Sequence, residues 1–171
     1  RKHDVIIVRI NYRLGPFGWF THPSIQDLQS GMDKSSNFGT LDIIAALNWV
    51  QENIHLFGGD SDNVTIFGES AGGHNVFSLL VSEKSKGLFH KAIAMSGYTT
   101  SISQKNAYKP ETKSSTSNYS SWNVVNKILN DQIGSGLNSK PSKEEIRGIL
   151  LNLSSKDFFK YHSDRQTYEE L

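Results

Sequence analysis

Cysteine is absent from the 171-residue chain, which excludes in one step disulfide scaffolds, thiolate zinc sites, iron–sulfur clusters and cysteine nucleophiles. Net charge is nearly absent too: 18 Lys and Arg against 17 Asp and Glu leave +1. No field of one sign therefore favours nucleic acid or an anionic membrane, and neither is expected as a partner. No apolar run is long enough to span a bilayer, and no segment joins a charged start, an apolar middle and a small-residue cleavage site. What remains is a globular composition, 36% hydrophobic and 20% charged, at the size of one ordinary domain. The first residues, Arg1-Lys2-His3-Asp4, carry no initiator methionine and run straight into strand-like sequence, so a segment of a longer protein is expected.

Hydrophobic periodicity organises the first half. Residues 4–11 form a β-branched apolar run that reads as a strand buried on both faces. Residues 14–38 mix Gly and Pro with Phe17, Trp19 and Phe20 and read as a surface loop with aromatic anchors. Ile43, Leu47, Val50 and Ile54 recur at helical spacing ahead of Gly58-Gly59, predicting an amphipathic helix with Asp42 in its first turn. A short strand is predicted at 64–68, a helix at 71–81 and a third strand at 90–96 closed by Gly97. Strand, helix, strand, helix, strand with short connections implies a parallel sheet, so the class is α/β. The composition then shifts: 99–121 is a Ser/Asn-rich loop, and three helices are expected after Trp122, the second opened by Pro141-Ser142-Lys143-Glu144-Glu145. The organisation expected is a core at 1–98, the loop, and a helical segment of the same domain at 122–171. Arg13, ending the first strand, is expected to pair with Asp42. A charge ending a buried strand needs a partner, and breaking such a buried pair costs about 3 to 5 kcal/mol.

Gly68-Glu69-Ser70-Ala71-Gly72 is a G-x-S-x-G sequence set between a predicted strand and a predicted helix, the context of a nucleophile elbow. A serine in so tight a turn needs small neighbours, which Gly68, Ala71 and Gly72 provide. The turn lifts the Ser70 hydroxyl above the carboxyl end of the sheet, and the Ala71 N–H is placed to donate to an oxyanion. A phosphate-binding loop is the competing reading, but the segment lacks the Lys and Ser/Thr of a P-loop and carries Glu69.

Asn11-Tyr12-Arg13-Leu14-Gly15-Pro16-Phe17-Gly18, Asn37-Phe38-Gly39, Asp42, Ala46-Leu47-Asn48-Trp49-Val50, Phe57-Gly58-Gly59-Asp60, Asn63 through Gly73 and Ser96-Gly97 resemble, in order and spacing, the type-B carboxylesterase and cholinesterase family. Ser61 and Ile43 depart from the proline and glutamine usual there. The resemblance implies an α/β-hydrolase fold, present in part, and hydrolysis of small-molecule carboxylic esters through an acyl-enzyme on Ser70. It implies Ala71 as one oxyanion donor, Glu69 as a buried carboxylate beside the elbow, and Ser96 as a neighbour of the catalytic acid. It places the acid, the histidine and the glycine-rich oxyanion segment outside this chain. The alternatives are a non-catalytic binding or adhesion relative, or an amidase or lipase of the same fold.

An internal triad through His162 with Asp157 or Asp164 keeps the order serine, acid, histidine but falls in a predicted terminal helix. His74, four residues past Ser70, reads as a packed helix residue rather than a base. His3, His22, His55 and His90 show no zinc-ligand spacing, and no metal or cofactor is expected. Phe17, Trp19 and Phe20 read as packing anchors ahead of pocket walls. Asn63-Val64-Thr65, Asn118-Tyr119-Ser120 and Asn152-Leu153-Ser154 fit the glycosylation sequon.

Overall fold

The computed structural model describes residues 3–108, 120–133 and 140–162. In chain order its helices are α1 (Gly15–Trp19), α2 (Pro23–Gln26), α3 (Phe38–Asn53), α4 (Ala71–Val81), α5 (Gln104–Tyr108), α6 (Ser121–Ile133), α7 (Lys143–Asn152) and α8 (Ser155–Lys160). Its strands are β1 (Thr65–Glu69) and β2 (Lys91–Met95), paired in parallel with Thr65 opposite Lys91 and Glu69 opposite Met95. The described residues fall into two compact units, one drawn from 1–18 and 37–101, the other from 19–36 and 102–171.

In the first unit α4 carries the chain from the end of β1 back to the start of β2, the crossover that a parallel pair requires. Ile43, Ile44 and Leu47 of α3, Ile66 of β1, and Val76 and Leu79 of α4 make one buried cluster. Each such side chain contributes about 1.5 to 3 kcal/mol on burial. Helix α3 begins at Phe38, so Asp42 lies past its first turn. The helix tightens into a 3-10 turn at Ile54–Phe57 and stops at Gly58, whose φ of 80° puts it in the left-handed region that glycine accepts without a Cβ penalty.

The strand expected at 4–11 is not formed. Those residues make no sheet pairing with any described residue, and Val5 and Ile7 are 70% and 66% exposed. A cavity of about 820 Å³ is lined by Ile6, Val8 and Ile10 of the run and by Ile66 and Phe67 of β1. A strand exists only through its ladder, so a β-branched run without a neighbour in reach stays irregular however strong its propensity. The expected surface loop at 14–38 also differs, since α1, α2 and a 3-10 turn at Gly31–Ser35 occupy it.

Arg13 does meet Asp42. Its Nε and Nη2 donate to the two carboxylate oxygens at 2.8 Å each, its backbone N–H adds a third bond at 2.9 Å, and its guanidinium lies 5.1 Å from the centre of the Phe38 ring. The guanidinium holds the Asp42 carboxyl below the usual carboxylate range. The pair is not buried, however: the two side chains are 51% and 26% exposed, so water screens it and the larger cost does not apply. Arg13→Ala is expected to lower the stability of the chain by about 1 kcal/mol, read from urea denaturation.

In the second unit Val124, Val125, Ile128 and Leu129 of α6 pack on Ile146 and Leu150 of α7, with Ile25 of α2 and Phe158 of α8 at the edges. Helix α7 opens on a capping box in which Glu145 N–H donates to Ser142 Oγ at 3.2 Å and Ser142 N–H donates to Glu145 Oε2 at 2.7 Å. Lys143 also pairs with Asp27.

His22 caps α2 from a fully buried position, and its Nδ1 accepts the Ser24 N–H at 3.2 Å. Its ring stands edge-on to Trp122 at 4.4 Å. Burial, helped by the charge of Lys143, pushes its pKa down to about 4. The folded chain therefore keeps His22 neutral, while the unfolded chain takes up a proton near pH 6.5. Stability from this residue is complete above pH 6.5 and is lost as pH falls to about 4, by up to about 3 kcal/mol. Urea midpoints between pH 8 and 4 are expected to fall across that window in the native chain and to fall less in His22→Phe.

Candidate active site

The elbow is built by a contact between glycines. A Cβ on Gly68 would lie 2.4 Å from the carbonyl carbon and oxygen of Gly72, so the end of β1 touches the first turn of α4 backbone to backbone. Gly72 itself has open space where a side chain would stand. Of the two elbow glycines, only Gly68 is therefore required by contact. Ser70, between them, has φ 53° and ψ −114°, a conformation that L-residues avoid and that costs of order 1 to 3 kcal/mol. Its N–H donates to Met95 O at 2.9 Å, and its carbonyl accepts from His74 N–H at 3.0 Å. The serine is thus held from both sides by its backbone. Its side chain is exposed and makes no hydrogen bond to any described residue.

The first backbone bond of α4 is the one from His74 to Ser70. The N–H groups of Ala71, Gly72 and Gly73 precede it, at the positive end of the helix dipole beside the Ser70 hydroxyl. Ala71 is where the sequence puts it, the first residue of α4.

Glu69 differs from expectation: it ends β1 exposed, because no described residue covers that side of the sheet. Ser96 follows Met95, the register partner of Glu69, so Ser70 and Ser96 leave neighbouring strands at the same level. Ser96 also takes a positive φ, 54°, and is exposed. Two further glycines, to which the sequence analysis assigned no contact, complete the arrangement. A Cβ on Gly73 would meet Met95 O at 2.7 Å, and one on Gly97 would meet the carbonyl carbon of Gly73 at 2.5 Å. The signal was present in Gly72-Gly73 and Ser96-Gly97, but only the packing shows that these two pairs touch.

His74 is a packed residue, its ring edge-on to Tyr98 at 4.9 Å. His162 sits in the helical unit with Nδ1 3.1 Å from Phe158 O and its ring against Phe20 and Phe158. Desolvation lowers its pKa. The Asp157 carboxylate is bound by Ser154 Oγ and Lys160 Nζ. The two candidates for an internal acid and base thus bond elsewhere, and Asp164 lies outside the described residues. Phe20 packs within the helical unit, whereas Phe17 and Trp19 are 40% and 37% exposed. Asn63 and Asn152 are exposed, and Asn118 lies outside the described residues. Among the described residues no three His, Asp or Glu side chains gather closely enough to hold a metal ion, and no helix is long and apolar enough to cross a membrane.

Residues 1–160 match the model of the carboxylesterase family. The chain is 50% identical over 104 residues to para-nitrobenzyl esterase of Bacillus subtilis (strain 168), covering 61% of this chain and 20% of that protein. It is 43% identical over 150 residues to cocaine esterase of Homo sapiens, covering 85% of this chain and 24% of that one. Among solved structures a thermophilic PNB esterase superposes with a TM-score of 0.65 at 34% identity, over 94% of this chain and 28% of that one. The parallel pair with its crossover helix is thus part of an α/β-hydrolase fold, and the chain spans about a fifth to a quarter of the length of these two curated relatives.

Proposed function

From the premise that this chain belongs to the carboxylesterase family, we propose that it carries the nucleophile of a serine esterase, with Ser70 attacking the carbonyl carbon of a small-molecule carboxylic ester. The observation that supports this most directly is the strained, exposed Ser70 at the junction of β1 and α4, its backbone pinned by Met95 and His74. Strain of that kind persists only where the surroundings over-determine it, as they do at functional turns. In the proposed reaction the Ser70 oxygen bonds to the carbonyl carbon as its proton passes to a general base. The carbonyl oxygen, now negative, accepts from the Ala71 N–H, and the alcohol leaves with the proton returned to it. Water then repeats the sequence on the acyl-enzyme and frees the acid.

The base and the acid that orients it are proposed to come from outside these 171 residues. Two facts support this: His162 and Asp157 each bond to other groups within the helical unit, and the chain spans a small part of its relatives. The names of those relatives fit an ester substrate.

A fluorophosphonate probe tests the assignment. Applied to the complete natural protein, it is expected to modify Ser70 and no other serine, as located by mass spectrometry of the labelled peptide. Ser96 is the competitor, exposed and at the same level of the sheet, but no helix starts directly after it to supply amide donors, since the next, α5, begins at Gln104. An adduct on Ser96, or labelling that survives Ser70→Ala, overturns the proposal.

A further inference from the structure

The contact between α4 and the segment leaving β2 rests mainly on atoms that cannot lock it. Gly73 and Gly97 meet through their backbones, and a Cβ on Gly97 would stand 2.8 Å from His74 N. Glycines permit close approach but have no side chains to hold it and are free to take many backbone angles. Ser96, just before Gly97, is nonetheless kept at a φ of 54°. The ring of His74 and that of Tyr98, the latter 62% exposed, meet across this junction. They stand edge to face, 4.9 Å apart at 67°, in the range where aromatic rings attract. His74 is tied at both backbone ends, its N–H to Ser70 O at 3.0 Å and its carbonyl to Ser78 Oγ at 3.1 Å. Its ring therefore projects from a fixed base one helical turn past Ser70.

We propose that His74 is a positioning residue, whose ring, by its edge-to-face contact with Tyr98, clamps Ser96-Gly97-Tyr98 against α4 and so fixes the bond from Ser70 N–H to Met95 O that sets the nucleophile. The proposal rests on Ser70 being the nucleophile. It uses the face and edge of the imidazole and neither of its nitrogens. Nδ1 is buried and has no hydrogen-bond partner among the described residues, so phenylalanine, which keeps a ring and removes the unpartnered atom, serves the clamp equally well.

The test uses the complete natural enzyme. His74→Ala is expected to lower kcat about three- to tenfold with KM changed less than twofold, the size of effect that loss of one ring pair and a small misalignment produces. Tyr98→Ala is expected to do the same, and the double variant to be no worse than either single one, because one contact is removed in all three. His74→Phe is expected to restore kcat. Amide hydrogen exchange at Ser96, Gly97 and Tyr98 is expected to quicken in both alanine variants and not in His74→Phe, a readout that holds whether or not Ser70 is the nucleophile. Unchanged exchange overturns the clamp. A lowered melting temperature with unchanged kcat overturns the positioning role. Failure of His74→Phe to restore kcat shows that an imidazole nitrogen, rather than the ring contact, is used, and overturns the proposal in that way. A wild-type enzyme that fluorophosphonate does not label at Ser70 overturns the esterase reading instead, while the exchange data still judge the clamp.

Discussion

Replacing Ser70 by alanine in the complete natural enzyme is expected to lower kcat toward a p-nitrophenyl ester by about 10⁶-fold while leaving the melting temperature unchanged or slightly raised. The size follows from the way a nucleophile, its base and its orienting acid act as a unit, so that loss of the attacking atom forfeits nearly the whole rate they produce together. A residual rate above water is expected to remain, because in the proposed reaction the Ala71 N–H and the dipole of α4 polarise a bound carbonyl without the serine. The expectation about stability comes from the geometry. The Ser70 hydroxyl makes no hydrogen bond to a described residue, while the backbone bonds to Met95 and His74 do not involve the side chain. Alanine meets the same positive φ with no greater steric demand. Initial rates over a substrate series, with thermal unfolding of both proteins, check it. A fall of less than about 10³-fold places the nucleophile elsewhere.

The second large effect belongs to a residue with no chemistry of its own. Gly68→Ala is expected to destabilise the fold by about 3 kcal/mol or more and to abolish activity, whereas Gly72→Ala is expected to change stability by about 1 kcal/mol or less. In the first variant the new methyl group stands 2.4 Å from two backbone atoms of Gly72, which no rotamer change can relieve, so β1 and α4 must separate. In the second the methyl group enters open space among the described residues, and the gain in helix propensity offsets part of any cost. Urea midpoints and esterase rates of the two variants decide it. Equal effects would mean that the elbow relaxes as a whole instead of pivoting on the contact at Gly68.

Much of the architecture was legible because the signals were local. Helix α3 announced itself through Ile43, Leu47 and Val50 with Gly58 past its end, α4 through its start at Ala71, and α7 through Ser142 and Glu145, whose reciprocal bonds form within four residues. The strands at 65–69 and 91–95 were visible as short apolar runs beside turn residues. The strand-to-helix turn at Ser70 was visible for the same reason, since Gly68 stands two residues before it and α4 starts immediately after it.

Contacts over long sequence distances decided the rest. Residues 4–11 have the composition of a buried strand, but a ladder depends on what lies beside it, and their own composition says nothing of a neighbour. The short stretch 19–36, which reads only as loop, packs with residues beyond 101 because Ile25 completes an apolar cluster made by α6 and α7. Arg13 and Asp42 were paired correctly from their positions, yet whether water reaches them, and hence what the pair is worth, depends on their surroundings. Gly97 and Tyr98 stand 27 and 28 residues past Ser70 and meet α4 only because β1 and β2 lie side by side. The sequence by itself determined the starts of α4 and α7 and the stop after α3 at Gly58, since these depend on neighbours within a turn or two. Tertiary structure alone decided which runs found a partner and which glycines touch, because burial and close approach are properties of two segments at once.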